Sequence, residues 1–460
     1  MCIFLSNFVD VFTNHYINLY HMTQPIPQKD IDELLSRLDA RDLSRATIRQ
    51  SVAVTNALEK MTGESFSHLE IGVPGLPPCQ VGIDAQKAAL DNHVPAVYPP
   101  IGGIAPLKEN AARFVEAFVG TKVTPECVVP TVGSMQGCFN LLLECSRLDP
   151  VKNTILFVDP GFPAQHAQAN VLGIPSESFD LYQYRAEKLG PKLEEYFKKG
   201  NIAAILYSNP NNPAWVCLTE DELKTIGELA TKYDVIVLED MAYMCMDFRQ
   251  DFSHPYQPPY QASVSHYTDN YVLMMSASKI FSYAGERLGI VVFSPKLFNR
   301  EYPRLRELYG LGRMGDNYIL TFLYVASSGT SHSAQYGVAA MLGAAADGKL
   351  DFVDELKEYG RRANLTKEIF LRNGFRIIYD RDNDRPIGDG FFFTVGYGNM
   401  NNQEIITNLM RCGVATISLY TAYSEQDGVR VCVSALSKDE QFEQLEQRLQ
   451  MFNEYFKDRK

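Results

Sequence analysis

The chain has 460 residues, 46% of them hydrophobic and 21% charged, the balance of a globular protein with room for two or three domains. Its 55 acidic residues outnumber 43 basic ones, and the formal net charge of −12 argues against a nucleic-acid or anionic-membrane surface. The nine cysteines never fall at C-x-x-C spacing, which argues against a zinc site or a disulfide framework and for a reduced, cytoplasmic setting.

Residues 1–24 read as an N-terminal extension. Asp10 interrupts the apolar run of residues 1–21, no basic segment precedes it, and no small-residue cleavage site follows. The expectation is a tail docked on the body, or Met22 as the true start. From Pro25 to about Lys60 the spacing of Ile31, Leu34, Leu35 and Leu38 predicts a helix. Leu69-Glu70-Ile71 predicts a short strand leading into a Gly/Pro loop that begins at Gly72. A helix from Pro106 carries Leu107, Ala111, Phe114 and Phe118 on one stripe. Residues 127–132 (CVVPTV) predict a strand that ends in Gly133-Ser134-Met135-Gln136-Gly137 before another helix. That order presents backbone N–H groups to an anion, although by itself the pattern also describes a plain tight turn.

The alternation of strand and helix continues. Thr154 to Val158 precedes DPGFPAQ (159–165), and Ile202 to Tyr207 precedes SNPNNPAW (208–215). A capping box, Thr219-x-x-Glu222, opens the next helix. Asp234 to Leu238 is a near-continuous apolar strand of the kind covered on both faces, ending in Glu239-Asp240-Met241-Ala242-Tyr243. Tyr271 to Met275 leads into SASKIFSYAGERLG (276–289). Beyond Gly348 come a long helix (about 351–373, stopped at Gly374), strands at 375–379, 391–396 and 429–433, and a final helix behind a second capping box, Ser437-x-x-Glu440. The expected fold class is α/β. A large domain, 80–325, holds a mainly parallel sheet sandwiched by helices, and a smaller α/β domain combines 25–79 with 350–460.

In open α/β sheets a ligand binds outside the carboxyl ends of the strands. Gly133-Ser134, Asn212, Asp240 and Lys279 all fall at such ends. A lysine delivered into a dry cleft loses its charge by desolvation and becomes a nucleophile. Such an amine forms a Schiff base with an aldehyde, which is how pyridoxal phosphate is held. Arg287 would then pair with the phosphate beside the Ser276 hydroxyl. Asp240 would face a protonated pyridine nitrogen, Tyr243 and Asn212 would donate to the phenolic oxygen, and Phe162 would stack on the ring. Taken singly, Lys279 and Arg287 read equally as two solvated charges beyond a strand.

Together these motifs resemble the class I/II aminotransferases of the pyridoxal-phosphate-dependent fold type I group, close in layout to the aspartate aminotransferase family, over about residues 30–455. Ser276, Lys279 and Arg287 match that family's Ser-x-x-Lys with an arginine eight positions on. Asn212-Pro213 matches its Asn-Pro turn, and Asp240 with Tyr243 its Asp-x-x-Tyr. Tyr98-Pro99-Pro100-Ile101-Gly102 resembles the loop that reaches a neighbouring subunit's phosphate, and Arg430 the arginine that pairs with the substrate's α-carboxylate. The resemblance implies a cytoplasmic homodimer moving an amino group between an L-amino acid and a 2-oxo acid, with no metal. It implies catalysis by Lys279, Asp240 and Tyr243. The cofactor would be held by Gly133, Ser134, Met135, Phe162, Asn212, Asp240, Tyr243, Ser276, Lys279 and Arg287, with Tyr98 completing the other subunit's site. Gly72, Asn212 and Arg430 would bind the substrate.

Two departures stand out. The family's Asn-Pro-Thr-Gly reads Asn212-Pro213-Ala214-Trp215 here. The stretch 324–337 lacks the arginine that dicarboxylate-specific members donate across the dimer, and Arg313 lies too far upstream to take that role. A second reading keeps the cofactor and changes the reaction to that of a β-elimination lyase, a decarboxylase or a synthase.

Overall fold

A computed structural model describes residues 22–38 and 40–459, and the reading of residues 1–21 lies outside the described residues. The central feature is a seven-stranded sheet built from β1 (Val128–Val132), β2 (Thr154–Asp159), β3 (Ser176–Asp180), β4 (Ile202–Ser208), β5 (Ile236–Asp240), β6 (Tyr271–Ser276) and β7 (Leu288–Phe293). Their order is β1-β7-β6-β5-β4-β2-β3. Only β7 runs antiparallel to its neighbours, so the other six strands point their carboxyl ends to one edge.

The apolar runs of β2, β4, β5, β6 and β7 are buried along their whole length because helices cover both faces. The pleat sorts alternate residues. Ile155, Leu206, Leu238, Val272 and Val291 pack with Leu141 and Leu142 of the helix Gly133–Cys145. Leu156, Ile205, Val237, Leu273 and Val292 pack on the other side with Phe114, Leu223 and Ile226.

A second, antiparallel sheet has the order β10-β11-β9-β8, where β8 is Arg376–Ile377, β9 Phe392–Gly396, β10 Ile417–Ser418 and β11 Val429–Cys432. Its core joins Phe393, Val395 and Val431 to Ile31, Leu35, Val54 and Leu58 from the N-terminal helices and to Leu445, Leu449 and Phe452 from the last helix. Among the described residues no helix is long and apolar enough to cross a membrane.

Several expected boundaries move. The single helix read over 25–60 is two, Gln28–Arg37 and Ile48–Thr62, because Asp42 caps an intervening 3₁₀ turn and Thr47 with Gln50 forms a new capping box. The short strand lies at Ser67–His68 rather than 69–71, paired in parallel with 414–415. Asp234 is the left-handed C-cap of the helix Glu220–Tyr233, so β5 starts two residues later and carries Glu239 and Asp240 inside the sheet. The strand expected over 375–379 shrinks to Arg376–Ile377. The last helix, Asp439–Phe456, is not capped by Ser437 and Glu440. Gln441 Oε1 instead accepts from the backbone N–H groups of Ser437 (2.8 Å) and Lys438 (3.0 Å).

Candidate active site

The carboxyl edge of the large sheet gathers the ends of β1, β4, β5 and β6 and the start of β7. At the β1 end, Gly133 takes φ +65 and its N–H donates to Arg287 O at 2.8 Å. A Cβ on Gly133 would lie 2.5 Å from Arg287 Nη2, and one on Gly289 would lie 2.4 Å from Ser134 N. Close approach to backbone therefore requires Gly289, and the left-handed backbone favours glycine at 133. Arg287 Nη1 donates to Ala284 O at 2.9 Å. The result sets a guanidinium against the first turn of the helix Gly133–Cys145, whose leading amides have no partner within the helix. That combination suits a phosphate. Met135 O accepts from Gln168 at 2.8 Å, and Ser276 Oγ accepts from Ser278 N at 3.3 Å, leaving the hydroxyl proton to donate.

Lys279 sits in the turn Ala277–Ile280 just past β6. Its Nζ donates to the carbonyl of Gly72 and stands 5.1 Å from the centroid of Phe391. Burial lowers its pKa to about 8; Cys432 opposes the shift, and the cations Arg430 and Arg287 reinforce it.

Asp240 ends β5. Its Oδ1 accepts from Ala242 N (3.1 Å) and its Oδ2 from Gln165 Nε2 (2.8 Å). Burial raises its pKa to about 6 in spite of both bonds. Tyr243 is enclosed by Trp215, Phe391 and Phe392, with ring centroids 5.3–5.7 Å away, and burial pushes its hydroxyl pKa up.

Arg430, on β11, is 3% exposed. Its Nη1 donates to Asn212 Oδ1 at 3.3 Å, its Nη2 to Glu70 O, and its plane lies 4.6 Å over Phe392. Its Nε has no hydrogen-bond partner among the described residues. The edge thus brings together Gly72, Gly133, Ser134, Asn212, Asp240, Tyr243, Ser276, Lys279, Arg287 and Arg430.

Phe162 is half-buried at the N-cap of the helix Pro163–Leu172, whose first turn carries Gln165. Tyr98 stands apart at 90% exposure. Arg313 is held over Phe298 and 3.5 Å from Asp316.

Sequence reasoning missed Gln165, Phe391, Phe392 and Glu70. Gln165 carried a usable signal, because it falls in the first turn after the DPGF loop at the same strand edge. Glu70 carried none, since what meets Arg430 is its backbone carbonyl, which every residue has. The altered turn after Asn212 is filled by Trp215, which is fully buried; a Cβ on Gly390 would lie 1.9 Å from its Cε2.

Residues 66–449 match the family model described as aminotransferase class I and II. The chain belongs to that family. Members are pyridoxal-phosphate-dependent, and pyridoxal 5'-phosphate is the cofactor expected of this aminotransferase-family chain. Among curated relatives, the S-alkyl-thiohydroximate lyase SUR1 of Arabidopsis thaliana is 31% identical over 37% of this chain and 37% of its own length. An aspartate aminotransferase of Pyrococcus horikoshii is 28% identical over 55% of this chain and 61% of its own. The matches thus span less than two thirds of those relatives. Solved structures show the fold more completely. Aspartate aminotransferase from Thermotoga maritima superposes with a TM-score of 0.71 at 18% identity, covering 90% of this chain and 98% of that one. Alanine aminotransferase from Pyrococcus furiosus gives 0.71 at 19%, covering 90% and 97%.

Proposed function

We propose that this family member moves an amino group between an L-amino acid and a 2-oxo acid, with pyridoxal phosphate held at the carboxyl edge of the large sheet. The observation that carries the reading is Arg430, a buried guanidinium fixed by Asn212 and Glu70 whose Nε is still unpartnered among the described residues. Unpartnered buried donors are costly, and a substrate carboxylate would satisfy this one.

The residues present fit the cofactor. Gly133, Ser134, Met135, Ser276 and Arg287 would take its phosphate in a cradle that a Cβ at 133 or 289 would fill. Asp240, which meets only neutral donors, would pair with its ring nitrogen, and Phe162, Asn212 and Tyr243 would flank the ring. When bound, the cofactor supplies an aldehyde for Lys279 and an electron sink for the substrate's α-carbon.

This chain's own residues do the rest. Arg430 orients the substrate by its carboxylate, with Asn212 and Gly72 beside it. Lys279 Nζ, its proton affinity lowered by burial, takes the α-proton and returns it. Phe391, Phe392 and Trp215 keep water from that exchange.

The reading includes a large domain of residues 80–325 that holds the cofactor and a smaller one of 25–79 with 350–460 that supplies Arg430. It also includes a cytoplasmic homodimer in which the exposed Tyr98 completes the other subunit's site. The lyase-named relative matches over 37% of each chain, whereas a probable aspartate aminotransferase of Methanocaldococcus jannaschii matches over 76% of this chain. That favours transfer over elimination. A panel of amino donors with pyruvate or 2-oxoglutarate tests it: the expected result is the paired appearance of a new amino acid and a new 2-oxo acid. Release of ammonia or carbon dioxide without amino transfer would overturn it.

A further inference from the structure

The segment Phe66–Gly72 links the two sheets' surroundings to the site. It starts in the short strand paired with 414–415 and ends in two carbonyls aimed at the reacting groups, Glu70 O on Arg430 Nη2 and Gly72 O on Lys279 Nζ. Between those ends lies a chain of charges. Glu59 Oε1 accepts from Phe66 N at 2.7 Å and stands 3.1 Å from His68 Nε2. His68 Nδ1 stands 2.8 Å from Oε1 of Glu70, whose side chain is fully buried. Glu70 Oε2 has no hydrogen-bond partner among the described residues.

Burial opposes a charge on His68, but the two carboxylates outweigh it and raise its pKa to about 10. Carboxylates at 2.8 and 3.1 Å on its two ring nitrogens thus favour the imidazolium form. The side chains of His68 and Glu59 are 28% and 26% exposed, and ion pairs reached by water contribute little stability. The third member, Glu70, also carries the carbonyl that fixes Arg430, which gives the group another use. Glu70 is also the carboxylate that favours the charged form of Arg430 against burial, alongside Cys432 and Tyr243.

We propose that His68 and Glu70 are positioning residues for substrate carboxylate binding: the imidazolium locks the Glu70 side chain, and Glu70 in turn orients Arg430 through its carbonyl and supplies its buried counter-charge. The bond to Nη2 fixes the guanidinium, and its unpartnered Nε–H is available to the substrate. The inference rests on the proposed role of Arg430 and extends it to two residues that touch neither substrate nor cofactor.

The test uses purified holoenzyme with Glu70→Gln, His68→Gln and, as a control, Arg430→Lys. Steady-state kinetics with an amino acid and a 2-oxo acid are compared with the reaction of a primary amine that lacks a carboxylate, followed by the cofactor's visible absorbance. For Glu70→Gln and His68→Gln the expected result is a KM raised about tenfold for both carboxylate substrates, a smaller change in kcat, and an unchanged reaction with the amine. An unchanged KM overturns the inference, and so does an equal loss with the amine, which would mark a merely structural role. If Glu70→Gln fails to fold, His68→Gln alone carries the test, because its amide keeps a hydrogen bond to Glu70 and removes only the charge. Should Arg430→Lys raise KM while the other two do not, this inference falls and the proposed function stands. Should Arg430→Lys also leave KM unchanged, the assignment of Arg430 falls with it.

Discussion

Gln165 Nε2 donates to Asp240 Oδ2 at 2.8 Å, and both side chains are buried at the carboxyl edge of the sheet. A carboxylate so placed, with neutral donors alone, is costly to ionise. Burial raises its pKa from 3.8 to about 6. The folded protein then binds this proton more tightly than the unfolded chain. The resulting stability is full below the ordinary carboxyl range and is lost as pH rises through about 6. In cofactor-free protein, the pH dependence of wild type minus that of Asp240→Asn should therefore show up to roughly 3 kcal/mol lost between pH 4 and 7. Thermal melts across that range check it. Parallel pH profiles for the two proteins would contradict the buried placement.

Asp240→Ala should retain some pyridoxal phosphate yet lose nearly all turnover. Gln165→Ala removes one of the two donors to Asp240 and should lower kcat by about tenfold, the cost of one hydrogen bond to a buried charged group. Cofactor retention, read by absorbance after gel filtration, separates loss of binding from loss of chemistry.

Lys279 Nζ is buried against Gly72 O and Phe391 and has no carboxylate partner among the described residues. Lys279→Ala should abolish borohydride-dependent attachment of a pyridoxyl group to the chain and lower amino transfer by about a thousandfold or more, the general scale for a covalent and acid–base group. Peptide mapping of the reduced wild type should find the label at position 279. A label elsewhere would reassign the nucleophile.

Five of the large sheet's seven strands were legible in the sequence because they are short apolar runs for which burial leaves little else to do; β3, polar and partly exposed at the sheet's edge, and β7, directly behind the Lys279 segment, were not read as strands. The boundary errors came where one residue decided the local backbone. Asp234 reads as the polar start of an apolar strand, yet it adopts φ 54 and closes the preceding helix. The site's polar groups could be listed because each sits at a strand end. Phe391 and Phe392 could not, since three successive phenylalanines describe any core strand; only the fold shows 391 under Lys279 and 392 under Arg430.

Gly133 and Gly173 have nearly the same backbone, φ +65 and +64, but different surroundings. A Cβ at 173 meets nothing within 4 Å, whereas one at 133 would press on Arg287 Nη2. Both alanine substitutions should cost about 1 kcal/mol of stability from the left-handed backbone. Gly133→Ala alone should also weaken pyridoxal phosphate binding, by about tenfold or more, because the phosphate partner must shift. Titrating the cofactor-free proteins distinguishes the two. Equal affinities would remove Gly133 and Arg287 from the phosphate site.

Asp382 lies on the small hairpin 381–386 and ties it to the large sheet's surroundings through ions. Its Oδ1 accepts from Cys217 N at 3.0 Å and from Arg185 Nη1 at 3.2 Å, and its Oδ2 from Arg249 Nη2 at 2.8 Å. Arg185 also binds Glu222 with two bonds, of 2.6 and 2.8 Å, and Glu222 closes the capping box with Thr219. Asp382, Arg185 and Glu222 are all buried, so removing one charge strands the others away from water. Asp382→Ala should therefore cost about 3–5 kcal/mol in denaturant unfolding, whereas Thr219→Ala should cost about 1 kcal/mol as a cap alone. Because Arg185 is shared between Asp382 and Glu222, Arg185→Met and Asp382→Leu break one and the same contact, and the double variant should lose less than the sum of the two single losses. Simple additivity of the two substitutions would show that the ions act separately, and a cost under about 1 kcal/mol for Asp382→Ala would place them in water.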